Sequence, residues 1–207
     1  MNVLFVCTGN TCRSPMAEAL LKEKMPDINV QSAGIFASTG SQANENSIKA
    51  LKEKNITLDH KAQQVTEELL QWADLVLSMT AQHKQSLMMQ YPHDQDKYYT
   101  LKEYTATTDQ QQLKKLHQAY AALETKRSLF IREHELTLDR ATLEKKLATH
   151  LEDDIDEIQQ LELDLNHYDI SDPFGGNLEV YRQTAIEIDK HIQILIPKIM
   201  KQMGENS

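Results

Sequence analysis

Cysteine is nearly absent from this chain. Two occur among 207 residues, Cys7 and Cys12, too few and too close in sequence to make a disulfide framework. A reducing compartment follows, and a cytoplasmic protein is expected. Long apolar runs are missing too. None approaches the roughly 18 residues of a spanning helix, and the start of the chain lacks a basic stretch followed by an apolar one and a cleavage site. No membrane partner is expected. Basic charge is in deficit: 22 Lys and Arg face 31 Asp and Glu, a net −9. That balance excludes a nucleic-acid binder or a polybasic surface. No His/Cys/Asp cluster falls at metal-ligand spacing. The eight histidines are scattered and each reads as ordinary surface or core, so neither metal nor cofactor is expected. Between Pro92 and Pro173 there is no proline, and between Gly40 and Gly175 no glycine. The middle of the chain therefore carries no strong helix breaker. Hydrophobic content of 40% allows a real core, in one domain or one domain with an appendage.

What is present begins at Cys7. Residues 7–14 read C-T-G-N-T-C-R-S, after the apolar run Val3-Leu4-Phe5-Val6 and before Pro15-Met16-Ala17-Glu18. This predicts a short strand, a loop and a helix, with Ser14 at the N-cap and Pro15 at the first helical position. A helix N-terminus offers unpaired N–H groups and positive potential. Gly9 lets backbone approach an anion, and Arg13 adds a planar, permanently charged fork suited to phosphate. Cys7 stands at the centre of that field, which favours the nucleophilic thiolate. A bare Cys-(x)5-Arg match is weak; the strand, glycine, serine, proline and helix around it make it specific.

Residues 1–104 alternate strand and helix signals. Strands are predicted at Val3–Val6, Asn29–Ser32, Asp74–Met79 and Lys97–Leu101. Helices are predicted at Ser14–Met25, Ala43–Lys54, Thr66–Trp72 and Ala81–Gln90. Alternation implies an α/β fold, a parallel sheet with helices on its faces. Ligands in such folds bind at the carboxyl ends of strands, where the Cys7 loop falls.

Residues 109–165 differ in kind. Leu113, Leu116, Tyr120 and Leu123 step by three and four, as do Leu143, Leu147, Leu151, Ile155, Ile158, Leu161 and Leu165. Between these stripes, residues 135–139 offer a break, with Asp139 a candidate N-cap. An antiparallel helical hairpin is expected, its arms about 109–135 and 139–165, each roughly 40 Å long. Residues 105–171 hold 14 acidic and 8 basic residues, so −6 of the −9 lies there. The arm reads as a solvated hairpin or as a coiled coil that docks a partner or a second chain. Beyond it, Asp169-Ile170-Ser171-Asp172-Pro173-Phe174-Gly175-Gly176 is a loop. A helix from Asn177 to about Lys201 follows, with apolar positions Val180, Tyr181, Ile186, Ile188, Ile192, Leu195 and Ile199. Asp172, in a loop stiffened by Pro173, reads as a general acid or as a plain turn residue.

V-L-F-V-C-T-G-N-T-C-R-S-P-M-A-E, S-A-G (Ser32–Gly34), A-D-L-V-L-S-M-T (Ala73–Thr80) and D-P-F-G-G together resemble the low-molecular-weight protein tyrosine phosphatases, over about two thirds of the chain. The resemblance implies a four-stranded parallel sheet flanked by helices on both faces, and hydrolysis through a phosphocysteine. It implies Cys7 as nucleophile, Arg13 as phosphate clamp and Asp172 as general acid. Asn10 and Ser14 would hold the loop and steady the thiolate. The phosphatase domain is then 1–104 with 169–207. The inserted helical hairpin, 105–168, departs from the family, which joins the fourth strand to the D-P loop by a short connection.

Thr11 stands where tyrosine-specific members usually carry an aliphatic residue. Phe174 and two glycines stand where most carry aromatics. With T-L-K-E-Y (Thr100–Tyr104) and S-A-G-I-F-A-S (Ser32–Ser38), this is similar to bacterial protein-arginine phosphatases. Phosphoarginine on proteins is therefore the expected substrate and phosphotyrosine the alternative, because one hydroxyl in a tight site discriminates strongly. The substrate and phosphate cradle is expected to comprise Thr8, Gly9, Asn10, Thr11, Cys12, Arg13, Ser14 and Phe174. Cys7 and Cys12 form a candidate redox pair within one loop. Arsenate reductase, a redox enzyme on the same scaffold, needs two further cysteines that this chain lacks. A non-catalytic phospho-binding scaffold would have no use for Cys7, Arg13 and Asp172 together.

Overall fold

The apolar run near the start of the chain forms β1 (Asn2–Cys7), buried on both faces as an unbroken apolar strand requires. The computed structural model describes residues 1–106, 109–134, 139–165 and 168–205. β1 pairs in parallel with β2 (Asn29–Gly34) on one side and β3 (Leu75–Ser78) on the other. β4 (Tyr98–Thr100) extends the sheet, in the order β2-β1-β3-β4. Val3, Phe5 and Cys7 face one layer. There they meet Met16, Ala17 and Leu20 of α1 (Arg13–Lys24), Leu51 of α2 (Glu45–Lys52) and Ile188, Ile192 and Leu195 of the last helix. Leu4 and Val6 face the other layer, against Leu70 of α3 (Glu67–Trp72) and Leu87 of α4 (Ala81–Gln90). The four predicted strands and the helices on both faces are thus present.

The predicted start of α1 needs correction. Cys12 is its N-cap, without a side-chain bond, and Arg13 begins the helix, so Pro15 occupies the third position. Ser14 is inside the helix because its hydroxyl is claimed by Cys7 and Asn10. The expected helix Ala43–Lys54 starts later, with Asn44 as cap. The expected strand Lys97–Leu101 is shorter. Thr100 turns the chain at once into α5 (Leu101–Thr105) through a capping box with Glu103.

The chain divides into two compact units, Met1–Ala106 with Tyr168–Ser207, and Thr107–His167. In the second unit, α6 (Asp109–His134) and α7 (Arg140–Leu165) pack side by side. Lys126 pairs with Asp154 at 2.6 Å, and the Phe130 ring lies between the rings of His134 and His150 at 4.3 and 4.7 Å. Partner numbers rise on one helix as they fall on the other, so the hairpin is antiparallel. Asp139 caps α7, its Oδ1 accepting from the Thr142 N–H at 3.1 Å. The predicted break at 135–138 and the side chains of Leu113, Leu116 and Leu165 lie outside those described. Leu151 and Ile158 are buried, but Ile155, expected in the same stripe, is 38% exposed. Its neighbour Asp154, paired with Lys126, is less exposed, at 23%.

In the first unit the last helix, α8 (Leu178–Glu205), runs through Pro197. Tyr181, Ile188, Ile192, Leu195 and Ile199 are buried as expected, while Val180 and Ile186 face outward. Among the described residues no helix is long and apolar enough to cross a membrane.

Cys7, at the carboxyl end of β1, lies beside Gly34 in register. A Cβ on Gly34 would lie 2.6 Å from the Thr8 carbonyl oxygen and 2.9 Å from the Asn10 nitrogen. Both are backbone atoms, so the Cys7 loop itself would have to move. Gly34→Ala should lower stability by about 1–3 kcal/mol, the usual cost of overpacking. Urea unfolding checks this, and an unchanged midpoint would show that the loop yields freely.

Candidate active site at the Cys7 loop

Asn10 makes the turn of the loop. It adopts φ 53°, and asparagine tolerates this left-handed backbone better than most residues. Gly9, the expected point of backbone freedom, has no positive φ; a Cβ there would meet nothing closer than Thr11 Oγ1 at 3.8 Å. The Asn10 side chain is fully buried. Its Nδ2 donates to Ser14 Oγ at 3.0 Å and to Ser32 Oγ at 2.8 Å. Its Oδ1 accepts from the Gln63 N–H at 2.9 Å. Behind these, the Ser32 hydroxyl donates to Glu18 Oε2 at 2.6 Å, and His60 Nε2 lies 3.1 Å from both Asn10 oxygens. Burial pushes the His60 pKa below its ordinary value, against the pull of the Glu18 carboxylate.

The buried Cys7 thiol group has two hydrogen-bond partners. The Asn10 N–H points at Sγ from 3.3 Å, and Ser14 Oγ lies 3.0 Å away. Hydrogen bonds donated to sulfur offset the loss of water that burial imposes on an anion there. Arg13 comes from the start of α1 and is itself buried. Its Nη1 donates to the Ile170 carbonyl at 3.2 Å and its Nη2 to Asp172 Oδ2 at 2.8 Å. The carboxylate is the wet partner, 53% exposed against 6% for the arginine side chain. Asp172 Oδ1 also accepts from the Phe174 N–H at 3.2 Å, which orients the carboxyl group within its turn. The Phe174 ring is exposed at the same loop.

Thr8 and Thr11 present hydroxyls from the loop. Thr8 Oγ1 bonds His83 Nε2 at 2.8 Å. Thr11 Oγ1 meets the Cys12 sulfur at 3.6 Å, a weak partner, while its carbonyl accepts from the Asn44 N–H at 2.8 Å. Cys12 Sγ also lies 3.6 Å from the Tyr181 hydroxyl, whose pKa burial raises. Both cysteines are buried free thiols.

The structure therefore brings Cys7, Thr8, Asn10, Thr11, Cys12, Arg13, Ser14, Asp172 and Phe174 into one region, with Gly9 at its rim. Sequence reasoning missed His60, His83, Glu18 and Gln63. Two of the histidines read as ordinary surface or core residues, His60 and His83, touch the loop. No spacing announces them, because each reaches the loop from a separate element. Nothing in the arrangement resembles a metal cage: among the described residues no cluster of His, Cys, Asp or Glu is set to ligate one.

A family model described as low molecular weight phosphotyrosine protein phosphatase matches residues 2–124. The chain is 34% identical to the Protein-arginine-phosphatase of Bacillus subtilis (strain 168) over 205 residues, covering 97% of this chain and 98% of that protein. It is similar to the solved YwlE arginine phosphatase from Geobacillus stearothermophilus, with TM-score 0.68 and 33% identity over 100% of this chain and 97% of that one. It is equally similar to a cysteine-to-serine mutant of YwlE arginine phosphatase with a phosphorylated active-site serine, with TM-score 0.68 and 34% identity over 97% of both chains. An anion loop closing on a buried cysteine, an arginine fork and a carboxylate from the far end of the chain complete the match: this chain belongs to the low molecular weight phosphotyrosine protein phosphatase family.

Proposed function

We propose that this protein hydrolyses phosphoarginine on proteins through a phosphocysteine intermediate. The observation that carries the substrate is Thr11, a hydroxyl in the phosphate loop that makes only a weak contact, with the Cys12 thiol at 3.6 Å, among the described residues. It is free to face a nitrogen-bound phosphoryl group. Relatives named as arginine phosphatases, aligned over almost the whole chain, support the same substrate. The phosphorylated serine in the mutant relative supports attack at that loop position.

The phosphoryl group enters the loop, and its equatorial oxygens meet the backbone N–H groups and Arg13. It gives the arginine fork a further partner beside Asp172 and the Ile170 carbonyl. The Cys7 thiolate forms the Sγ–P bond as the P–N bond to the guanidine breaks. The departing nitrogen keeps the bonding pair and takes a proton from Asp172. Water then attacks the phosphocysteine, giving its proton to the Asp172 carboxylate. The Sγ–P bond breaks, and inorganic phosphate and the thiolate result. Thr8, Gly9, Asn10 and Cys12 shape the cradle, and Ser14 with the Asn10 N–H steadies the thiolate. The exposed Phe174 ring favours a second reading, phosphotyrosine, by offering a face to a phenol.

The same proposal places the protein in the cytoplasm, acting on phosphorylated proteins, since two free buried thiols suit a reducing compartment. It gives residues 105–168 the role of an inserted arm that meets a partner or a second chain. Leu129 and Ile155, large apolar side chains exposed on that hairpin, support this.

Three outcomes test the assignments. Asp172→Asn should lower turnover by about 10²–10⁴ on poor leaving groups and much less on good ones. Steady-state kinetics across aryl phosphates check this, and a uniform loss removes Asp172 from the acid role. Thr11→Ile should shift the ratio of kcat/KM from phosphoarginine toward phosphotyrosine peptides; an unmoved ratio would sink the role of Thr11. Mild peroxide should inactivate the enzyme reversibly through a Cys7–Cys12 disulfide. Dithiothreitol should restore wild type but not Cys12→Ser, and equal recovery of both would show that Cys12 does not resolve the oxidised thiol.

A further inference from the structure

We infer that His83 is a positioning residue for this reaction, holding the Cys7 loop and the Asp172 loop in register through the first turn of α4. The inference rests on the phosphatase reading above. On one side, His83 Nε2 bonds the hydroxyl of Thr8, the residue after the nucleophile, at 2.8 Å. On the other side, the turn that carries His83 is tied to the acid loop. The Ala81 N–H donates to Asp169 Oδ1 at 2.7 Å, and the Ile170 N–H donates to the Met79 carbonyl at 2.8 Å. Asp172 follows two residues later. Thr80 fixes the turn itself, its Oγ1 accepting the His83 N–H at 3.2 Å. One helical turn thus touches the loops that bear the nucleophile and the acid.

The imidazole is a costly choice for mere packing. His83 is 8% exposed, and its Nδ1 is buried with no hydrogen-bond partner among the described residues. Either tautomer serves Thr8 and leaves Nδ1 bare. Buried polar atoms are normally paired, so an apolar residue would fill this space more favourably. What an apolar residue lacks is the Thr8 contact. The ring also has to be neutral. It feels the Arg13 guanidinium, and the carboxylates of Asp169 and Asp172 oppose that influence. Protonation would set a second cation near Arg13 and give Asp172 a rival partner. Burial foremost, then Arg13, pushes the His83 pKa down to about 4, so the ring stays neutral where the thiolate chemistry runs.

The test uses the full-length protein, with kcat and KM measured on aryl phosphates of graded leaving-group pKa and on a phosphoarginine peptide. His83→Ala should lower kcat/KM on poor leaving groups by about 10- to 10²-fold, the range for a small misplacement of reacting groups. On para-nitrophenyl phosphate the loss should be much smaller, because that leaving group hardly needs the proton. His83→Gln retains an uncharged group able to reach Thr8 and should recover most of the loss. Thr8→Val breaks the same contact from the other side. It should show the same leaving-group dependence, and the double variant should lose no more than either single one. These two variants carry the test if His83→Ala fails to fold. A loss equal on all leaving groups, or full additivity of the two substitutions, would reduce His83 to packing and overturn the inference. Unchanged His83→Ala kinetics would overturn it alone, whereas a wild type inert on every phosphate would overturn the phosphatase reading and this inference with it.

Discussion

The buried side-chain amide of Asn10 supports the loop on which the chemistry depends. A loop that curls around a phosphoryl group must turn its N–H groups inward, and chain sterics oppose that turn in most residues. Asn10 accepts φ 53°, and its amide spends its donors on Ser14 and Ser32 and its acceptor on Gln63. Loss of that side chain would remove all of these bonds at once and leave the Gln63 N–H without its acceptor, a cost of about 1–3 kcal/mol for one unpaired buried donor. The same residue's N–H points at Cys7 Sγ. Holding the turn and receiving the sulfur's charge are therefore one structural event.

The second constraint is distance along the chain. Arg13 and Asp172 are 159 residues apart in sequence and 2.8 Å apart in space. Closing so long a loop carries an entropic cost that grows only slowly with length, so the long arm between β4 and the acid loop is tolerable if both of its attachment points are fixed. They are. Before the arm, the Thr100 capping box stops β4 and starts α5, and Lys198 Nζ donates to the carbonyls of Tyr104 and Ala106. After it, Asp169 and Ile170 bond the start of α4 and its approach. The acid loop is held by these local bonds.

Much of this was legible in the sequence. Strand order aside, the alternation of apolar runs and helical spacing placed the four strands to within two residues at either end. It also placed the hairpin, because the stretch without proline or glycine left few alternatives. The Cys7 to Ser14 motif and the D-P loop named residues that the fold does bring together in space. The misses have physical reasons. Ser14 has the chemistry of an N-cap, but a tertiary partner outbid the helix terminus for its hydroxyl. Gly9 looked like the strained position, while Asn10 carried the strain because its side chain had somewhere to bond. The T-x-x-E of Thr100 and Glu103 was a readable helix start, hidden by the apolar neighbours of a strand.

His60 and His83 show where sequence reading stops. Each approaches the loop by way of the tertiary fold, one from the segment before α3 and one from α4, and neither sits in a motif of its own. Burial lowers the pKa of both, which keeps them neutral beside a loop built to gather negative charge. A charged His83 imidazole would compete with Arg13 for Asp172, whose charge it feels. The site therefore concentrates its formal positive charge in one guanidinium and surrounds it with neutral hydrogen-bonding groups. That division explains why a protein of net charge −9 can bind an anion: the field that matters is made by one arginine and by backbone N–H groups a few ångströms away, inside water-poor protein where screening by the acidic surface is weak.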